Sequence, residues 1–327
     1  MGSQVVAQLE KTDHRLAIFH RGKTNINNSD HFFEIKGDRE NLSDFKHELK
    51  QFAPNVVIDI VSYTKKQAET TIAVFSGIAN RFIAISSCDV YRNYDGFRGV
   101  SNHEPDPTPL KENSPLRESR FPYREYEELE FEYKHNYEKI LVEKEVLNNS
   151  DLPGTILRMP AIYGPGDKQH RFYPYIKRME DKRPAVLLSS SHAKFRWTHG
   201  FIINLAHAIV KVALDDRSTN KIYNLGEQQT PTFAQRINDL GKMMDWNGDI
   251  KVVLENELPV HLTNNFNCNY HLETDTTSVR KELNYQDKIS YNQALVETVE
   301  WELENSPIGL ANQFDYQAED KILENVA

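Results

Sequence analysis

Two kinds of hydrophobic pattern alternate along the first half of this chain. "RLAIFH" (15–20), "NVVIDIVSY" (55–63) and "RFIAISS" (81–87) are continuous apolar runs, the pattern of strands buried on both faces. A shorter strand lies in "HFFEIKGDRENL" (31–42) and ends in a Gly-Asp turn. Between these runs the apolar positions fall at helical spacing: residues 4–11, with Val5, Val6 and Leu9 on one face, then 44–52 and 65–79. Strands alternating with helices predict a parallel sheet covered on both sides. Further on, the pattern predicts a helix over about 126–148 and a strand running into a turn in "GTILRMPAIYGPGD" (154–167). Helices follow near 171–180, 201–214 and 232–244, with strands at 185–188 and 221–226. The rest, with "KVVLENELP" and two short helices, reads as a smaller cap. A Pro- and charge-rich stretch at 92–122 interrupts the pattern, and loops of that length are usually functional or disordered.

Composition narrows the picture. The chain has 327 residues, enough for one large α/β domain or two smaller ones. A net charge of −9 argues against broad binding to nucleic acid or acidic membrane. Cys88 and Cys268 are the two cysteines, too far apart for a zinc motif or a disulfide framework, so a reducing cytoplasm is expected and no metal site. No apolar run reaches the ~18 residues of a membrane span, and no signal-peptide pattern opens the chain.

Five segments then fall in one order: "RFIAISSCDVY" (81–91), "PLKENSPL" (109–116), "YEKILVEKEVL" (137–147), "LRMPAIYGPGD" (157–167) and "KIYNLG" (221–226). Together they resemble an extended short-chain dehydrogenase/reductase of the NAD-dependent epimerase/dehydratase family, over roughly residues 2–300. The resemblance implies an α/β fold with a Rossmann-type doubly wound parallel sheet and a smaller α+β C-terminal substrate domain. The expected division is 1–160 and 161–327, with some later segments returning to the sheet. It also implies a nicotinamide cofactor, NAD(P), between the two parts, a sugar-nucleotide or other secondary alcohol or ketone substrate, and allows a homodimer. The alternative is a non-catalytic nucleotide- or RNA-binding regulatory member of the same fold, though the acidic balance weighs against RNA.

The resemblance recasts the start of the chain. The family opens with a strand, a Gly-x-x-Gly-x-x-Gly turn and a helix, because the glycines let the backbone approach a pyrophosphate at the helix N-terminus. Gly2 stands where the third glycine belongs, so the first strand and two glycines read as missing through truncation. A vector-derived Met-Gly-Ser, or a domain that never bound a dinucleotide, are the other origins. The strands at 15–20 and 55–61 are then expected to face each other across a gap, with low stability and weak cofactor binding. The basic turn "FHRGK", with Arg21, favours NADP over NAD. Asp38 matches the family position at the adenine. Met159, with Arg158 and Pro160, opens the "YGPGD" turn on the cofactor side.

The family's chemistry uses a Ser or Thr, a Tyr and a Lys, the ammonium orienting the ribose and lowering the tyrosine pKa. Ser87 and Lys139 match two of the three. On one helix face the tyrosine would lie four residues before Lys139, and that position is His135. On a helix Tyr137 and Tyr133 face away, so either His135 is the proton shuttle or the site has lost its usual chemistry and the activity is impaired. Asp89 is a candidate base for a proton α to a ketone, or a turn residue capping backbone amides. Cys88 stands where the dehydratases carry an acid, which argues against full dehydratase chemistry. Arg171 and Arg196, with Lys177 and Arg178, are placed for a diphosphate.

Overall fold

The computed structural model describes residues 1–23, 32–125, 133–263, 265–309 and 314–326. Its centre is a four-stranded parallel sheet in the order β3-β4-β5-β9: β3 is Val56–Asp59, β4 Arg81–Ser87, β5 Gly154–Met159 and β9 Ile222–Asn224. Along β4 the side chains alternate between two packed faces. Ile83 and Ile85 join Leu157, Leu205 and Ile209 on one side. Phe82 and Ala84 join Ile72, Val142, Val146 and Ile156 on the other. Double burial explains why this strand carries no polar alternation.

β1 (Leu16–His20) and β2 (Phe32–Lys36) form a separate parallel pair, with Leu16 opposite Phe32 and His20 opposite Lys36. Among the described residues no ladder joins β1 to β3, and each is an edge strand of its own sheet. A side-chain bridge spans the two halves instead. Arg39, in the 3₁₀ turn after β2, donates to both carboxylate oxygens of Asp59 at 2.6 and 2.5 Å. The first helix, Gly2–Leu9, buries Val5 against the helix Ile202–Ala213, and Gln8 donates to the Ile203 carbonyl at 2.9 Å.

Two further parallel pairs complete the sheets: β6 (Ala161–Tyr163) with β8 (His199–Phe201), and β7 (Ala185–Ser189) with β10 (Asp249–Val253). Around them pack the helices Tyr173–Glu180, Phe233–Met243 and Tyr291–Glu304, while the helix Thr277–Leu283 packs Val279 and Leu283 against the four-stranded sheet. A last helix, Tyr316–Val326, is held by a buried ion pair from Arg178 to Glu319 at 2.5 Å. Among the described residues three α-helices follow β10, where two short ones were expected.

Two other expectations change. The helix predicted over 126–148 begins only at Lys139 and ends at Leu147, and the Glu-rich stretch at 126–132 lies outside the described residues. Glu138 stops it from starting earlier: its backbone is extended (φ −158°, ψ 91°) and its carboxylate caps the Ile140 amide. The 92–122 stretch opens with a short helix, Arg92–Phe97, and is pinned at several points. Asn93 donates to the Asp106 and His271 carbonyls, and the Leu110 amide donates to the Glu273 carbonyl at 2.7 Å.

Candidate active site

The carboxyl end of β4 collects the groups that carry chemistry. Ser87 ends the strand and caps the 3₁₀ turn Cys88–Val90, its hydroxyl accepting from the Asp89 amide at 3.2 Å. Ser87 thus takes the capping part considered for Asp89. The Asp89 carboxylate is buried, and its Oδ2 accepts from Tyr137 Oη at 2.7 Å and Tyr123 Oη at 3.0 Å. Its Oδ1 is buried with no hydrogen-bond partner. Tyr94 extends the chain, 3.1 Å from the Tyr123 hydroxyl. Burial, then the charge of Asp89, holds the Tyr137 phenol well above its ordinary pKa, while the Ser87 hydroxyl pulls the other way. Tyr137 is therefore a protonated donor lying between a serine and a carboxylate.

Lys139 lies beside this group and is buried throughout. Its Nζ donates to the Ser62 carbonyl at 2.5 Å and the Ile85 carbonyl at 2.6 Å, at the ends of β3 and β4. The Nζ also sits 4.8 Å from the Tyr63 ring centroid and 5.6 Å from that of Tyr137. Desolvation lowers its pKa to about 8, against the opposing pull of Asp89 and Asp59.

His135 does not join this group. It is exposed, and its backbone carbonyl accepts from Arg124 Nε at 3.0 Å. The helix-face argument that selected it fails because residues 135–138 precede the helix. In extended chain, residues two apart point the same way, and that brings Tyr137 to the side of Lys139. The frame holding this geometry is a fully buried pair: Arg117 donates to Glu138 at 2.9 and 2.8 Å, and Glu138 also accepts from the Phe121 amide. Next to it, Arg158 donates to Glu143 at 3.0 and 2.7 Å, and Ser86 to Glu143 at 2.5 Å.

Of the remaining predicted residues, Met159 pairs with Ser87 in the β4–β5 ladder, and the others make contacts of their own. Gly2 starts the first helix, and a Cβ there would meet nothing within 4 Å. Arg21 is exposed just after β1. The Asp38 carboxylate caps the Glu40 amide at 2.9 Å. The Met159 side chain is in the core with Leu157 and Leu205. Arg171 is tied to Asp167 at 2.7 Å and to the Ile162 carbonyl at 2.8 Å. Arg196 donates to the Thr230 carbonyl and lines a separate cavity. Arg178 is buried on Glu319, and Lys177 is paired with Asp181 and Glu180. Sequence reasoning missed Tyr63, Tyr94 and Tyr123, which come from turns and from the irregular 92–122 region. Burial pushes the Cys88 thiol up to about 12, with Asp89 adding to the effect.

The comparisons agree with this architecture. The model of the NAD dependent epimerase/dehydratase family matches residues 1–226. A UDP-glucose 4-epimerase of Thermotoga maritima, solved with UDP-glucose, is similar in structure at 12% identity, TM-score 0.65, covering 94% of this chain and 96% of that one. A dTDP-glucose 4,6-dehydratase of Bacillus anthracis in complex with NAD is similar at 15% identity, TM-score 0.66, covering 93% of each chain. A short-chain dehydrogenase/reductase superfamily protein of Agrobacterium tumefaciens with bound NAD is similar at 14% identity, TM-score 0.66, covering 93% and 94%. A search of curated proteins finds no match to the sequence. Among the described residues no helix is long and apolar enough to cross a membrane. The family match over more than two thirds of the chain, on a parallel α/β sheet with Ser87 and Lys139 at its carboxyl edge, makes this protein a member of the NAD-dependent epimerase/dehydratase family.

Proposed function

We propose that this chain acts on a secondary alcohol or ketone carbon of a sugar-nucleotide-like substrate, with Tyr137 rather than His135 exchanging the proton. The observation that carries the reading is the meeting of Tyr137, Ser87 and Asp89 at the end of β4, with the Lys139 ammonium beside them. The donor set fits the ribose end of a nicotinamide cofactor. An ammonium has three N–H donors, and Lys139 spends two on carbonyls, which leaves one for a ribose hydroxyl. Once bound, the cofactor would supply or accept the hydride at the substrate carbon. Arg21 and Lys23, both exposed after β1, favour a 2′-phosphate and hence NADP.

The chain's own groups then have distinct parts. Ser87 would turn its hydroxyl proton from Tyr137 to the substrate oxygen, its own oxygen staying on the Asp89 amide. Tyr137 would hand its proton to the developing alkoxide, because burial and Asp89 keep the phenol protonated. Lys139, with a pKa of about 8, would compensate the phenolate charge and exchange a proton with solvent near neutrality. The protonated phenol favours the reductive direction. Cys88, pushed up to about 12, is too weak an acid for the dehydratase step. The sugar-nucleotide class is supported by the substrates named for the similar structures. Two buried free thiols support a reducing compartment.

The test is fluorescence titration of the full chain with NADPH and NADH, followed by reduction of a 4-keto nucleotide sugar. NADPH is expected to bind at least about tenfold tighter than NADH, with the preference lost in Arg21→Ala. Absence of binding by either nucleotide contradicts the reading.

A further inference from the structure

A second cavity, of about 790 Å³, opens between the turn after β9, the 273–277 segment and Tyr291. None of Ser87, Asp89, Tyr137 or Lys139 lines it. Its charged lining is one-sided: five carboxylates (Glu227, Asp239, Glu273, Asp275 and Asp287) against the single cation Arg196. Three of the five are already paired, Glu227 with Arg236 at 2.6 Å, Asp287 with Arg280 at 2.9 Å and Asp239 with Lys242 at 2.8 Å. Glu273 and Asp275 are half-buried, and no ion pair reaches either among the described residues. Among the described residues the Asp275 carboxylate accepts from the Thr277 amide alone, at 2.9 Å.

The buried hydroxyls supply an independent observation. Tyr163 is 1% exposed and Thr274 is 6% exposed; both line this cavity, and neither Tyr163 Oη nor Thr274 Oγ1 has a hydrogen-bond partner. Buried hydroxyls left unpartnered cost stability, and proteins seldom tolerate them without a ligand or water. A molecule made of donors satisfies all four groups at once: the carboxylates accept from it, and so do the hydroxyl lone pairs. Among the described residues no three His, Cys, Asp or Glu side chains are grouped to hold a metal ion. Pro109, Pro231 and Ile289 give the same cavity apolar wall for methylene stems.

We propose that this cavity is a binding site for a linear aliphatic polyamine, with ammonium groups on Glu273 and Asp275 and on the hydroxyls of Tyr163 and Thr274. The volume is in the range of small-molecule sites. The site is separate from the one at β4, so it stands whether or not the proposed reaction does.

The test is calorimetric titration of the full chain with spermidine at low ionic strength. Saturable one-to-one binding is expected, weakened about tenfold or more in the double variant Glu273→Gln/Asp275→Asn. Tyr163→Phe, which keeps the ring, is expected to weaken it about threefold and reads the site even if the double variant folds poorly. The control Glu300→Gln/Glu304→Gln, on the exposed end of the helix Tyr291–Glu304, is expected to bind as the parent does. Non-saturable heat, a loss equal to the control's, or unchanged affinity in both site variants overturns the proposal.

Discussion

Lys139 gives the sharpest physical prediction, because its ammonium is fully desolvated on the folded side only. Its pKa falls from 10.5 to about 8 through burial. Below pH 8 the folded and unfolded chains both carry the proton, so this group contributes no pH dependence. Between about pH 8 and 10.5 the unfolded chain binds a proton that the folded chain has released, so stability rises with pH. The slope is about 1.4 kcal/mol per pH unit, and the full window is worth about 3 kcal/mol. Lys139→Met removes the titrating group, at a fixed cost of about 1–3 kcal/mol for leaving the Ser62 and Ile85 carbonyls without a donor. Urea unfolding of parent and variant at a series of pH values isolates the effect, because every other group titrates in both. From about pH 8 to pH 9.5 the parent is expected to gain about 2 kcal/mol over the variant. Parallel curves across that interval would refute the reasoning, since they would mean that the ammonium keeps its ordinary proton affinity in the folded chain.

Other consequences follow from single contacts. Glu138→Gln breaks a fully buried pair with Arg117 and is expected to cost about 3–5 kcal/mol, seen as a lower denaturation midpoint together with lost turnover, since Glu138 sits between Tyr137 and Lys139. Cys88 and Cys268, buried and pushed up to about 12 and about 11, are expected to stay unmodified by a thiol reagent at neutral pH until the chain unfolds. Gly164→Ala is expected to destabilise more than Gly166→Ala in thermal melting. Both glycines have positive φ (108° and 87°), but only at Gly164 would a Cβ meet a side chain, Phe201, at 2.5 Å. Equal shifts for the two would refute the steric part of that argument.

How much of this was legible in the sequence depended on whether local chemistry or distant contacts decided each feature. β4 and β5 were legible because a continuous apolar run has few alternatives to a doubly buried strand. The helix Lys65–Phe75 was legible from its apolar spacing, and the structure adds a reciprocal capping box of Thr64 and Gln67 at its start. The start of the helix at Lys139 was not legible in the same way. It depends on Glu138 being drawn into a pair with Arg117, which lies 21 residues earlier in a stretch with no periodic signal. That single displaced boundary moves the candidate proton donor from His135 to Tyr137, since spacing four belongs to a helix and spacing two to extended chain. The Tyr-x-Lys spacing in "YEK", with a capping Glu between, was the local signal available. The partners of Arg178 and Arg196, Glu319 and the Thr230 carbonyl, were not legible because they lie far along the chain, whereas Arg171 pairs locally with Asp167 four residues earlier.

The most direct measurement compares Tyr137→Phe with His135→Ala under saturating cofactor. Tyr137→Phe keeps the ring packed against Tyr63 and Tyr123 and removes only the hydroxyl on Asp89. Its turnover is expected to fall by about a hundredfold or more with cofactor affinity unchanged, while His135→Ala stays within about twofold of the parent because that side chain is exposed. The reverse pattern, with Tyr137→Phe active and His135→Ala dead, would contradict the assignment of proton transfer to Tyr137.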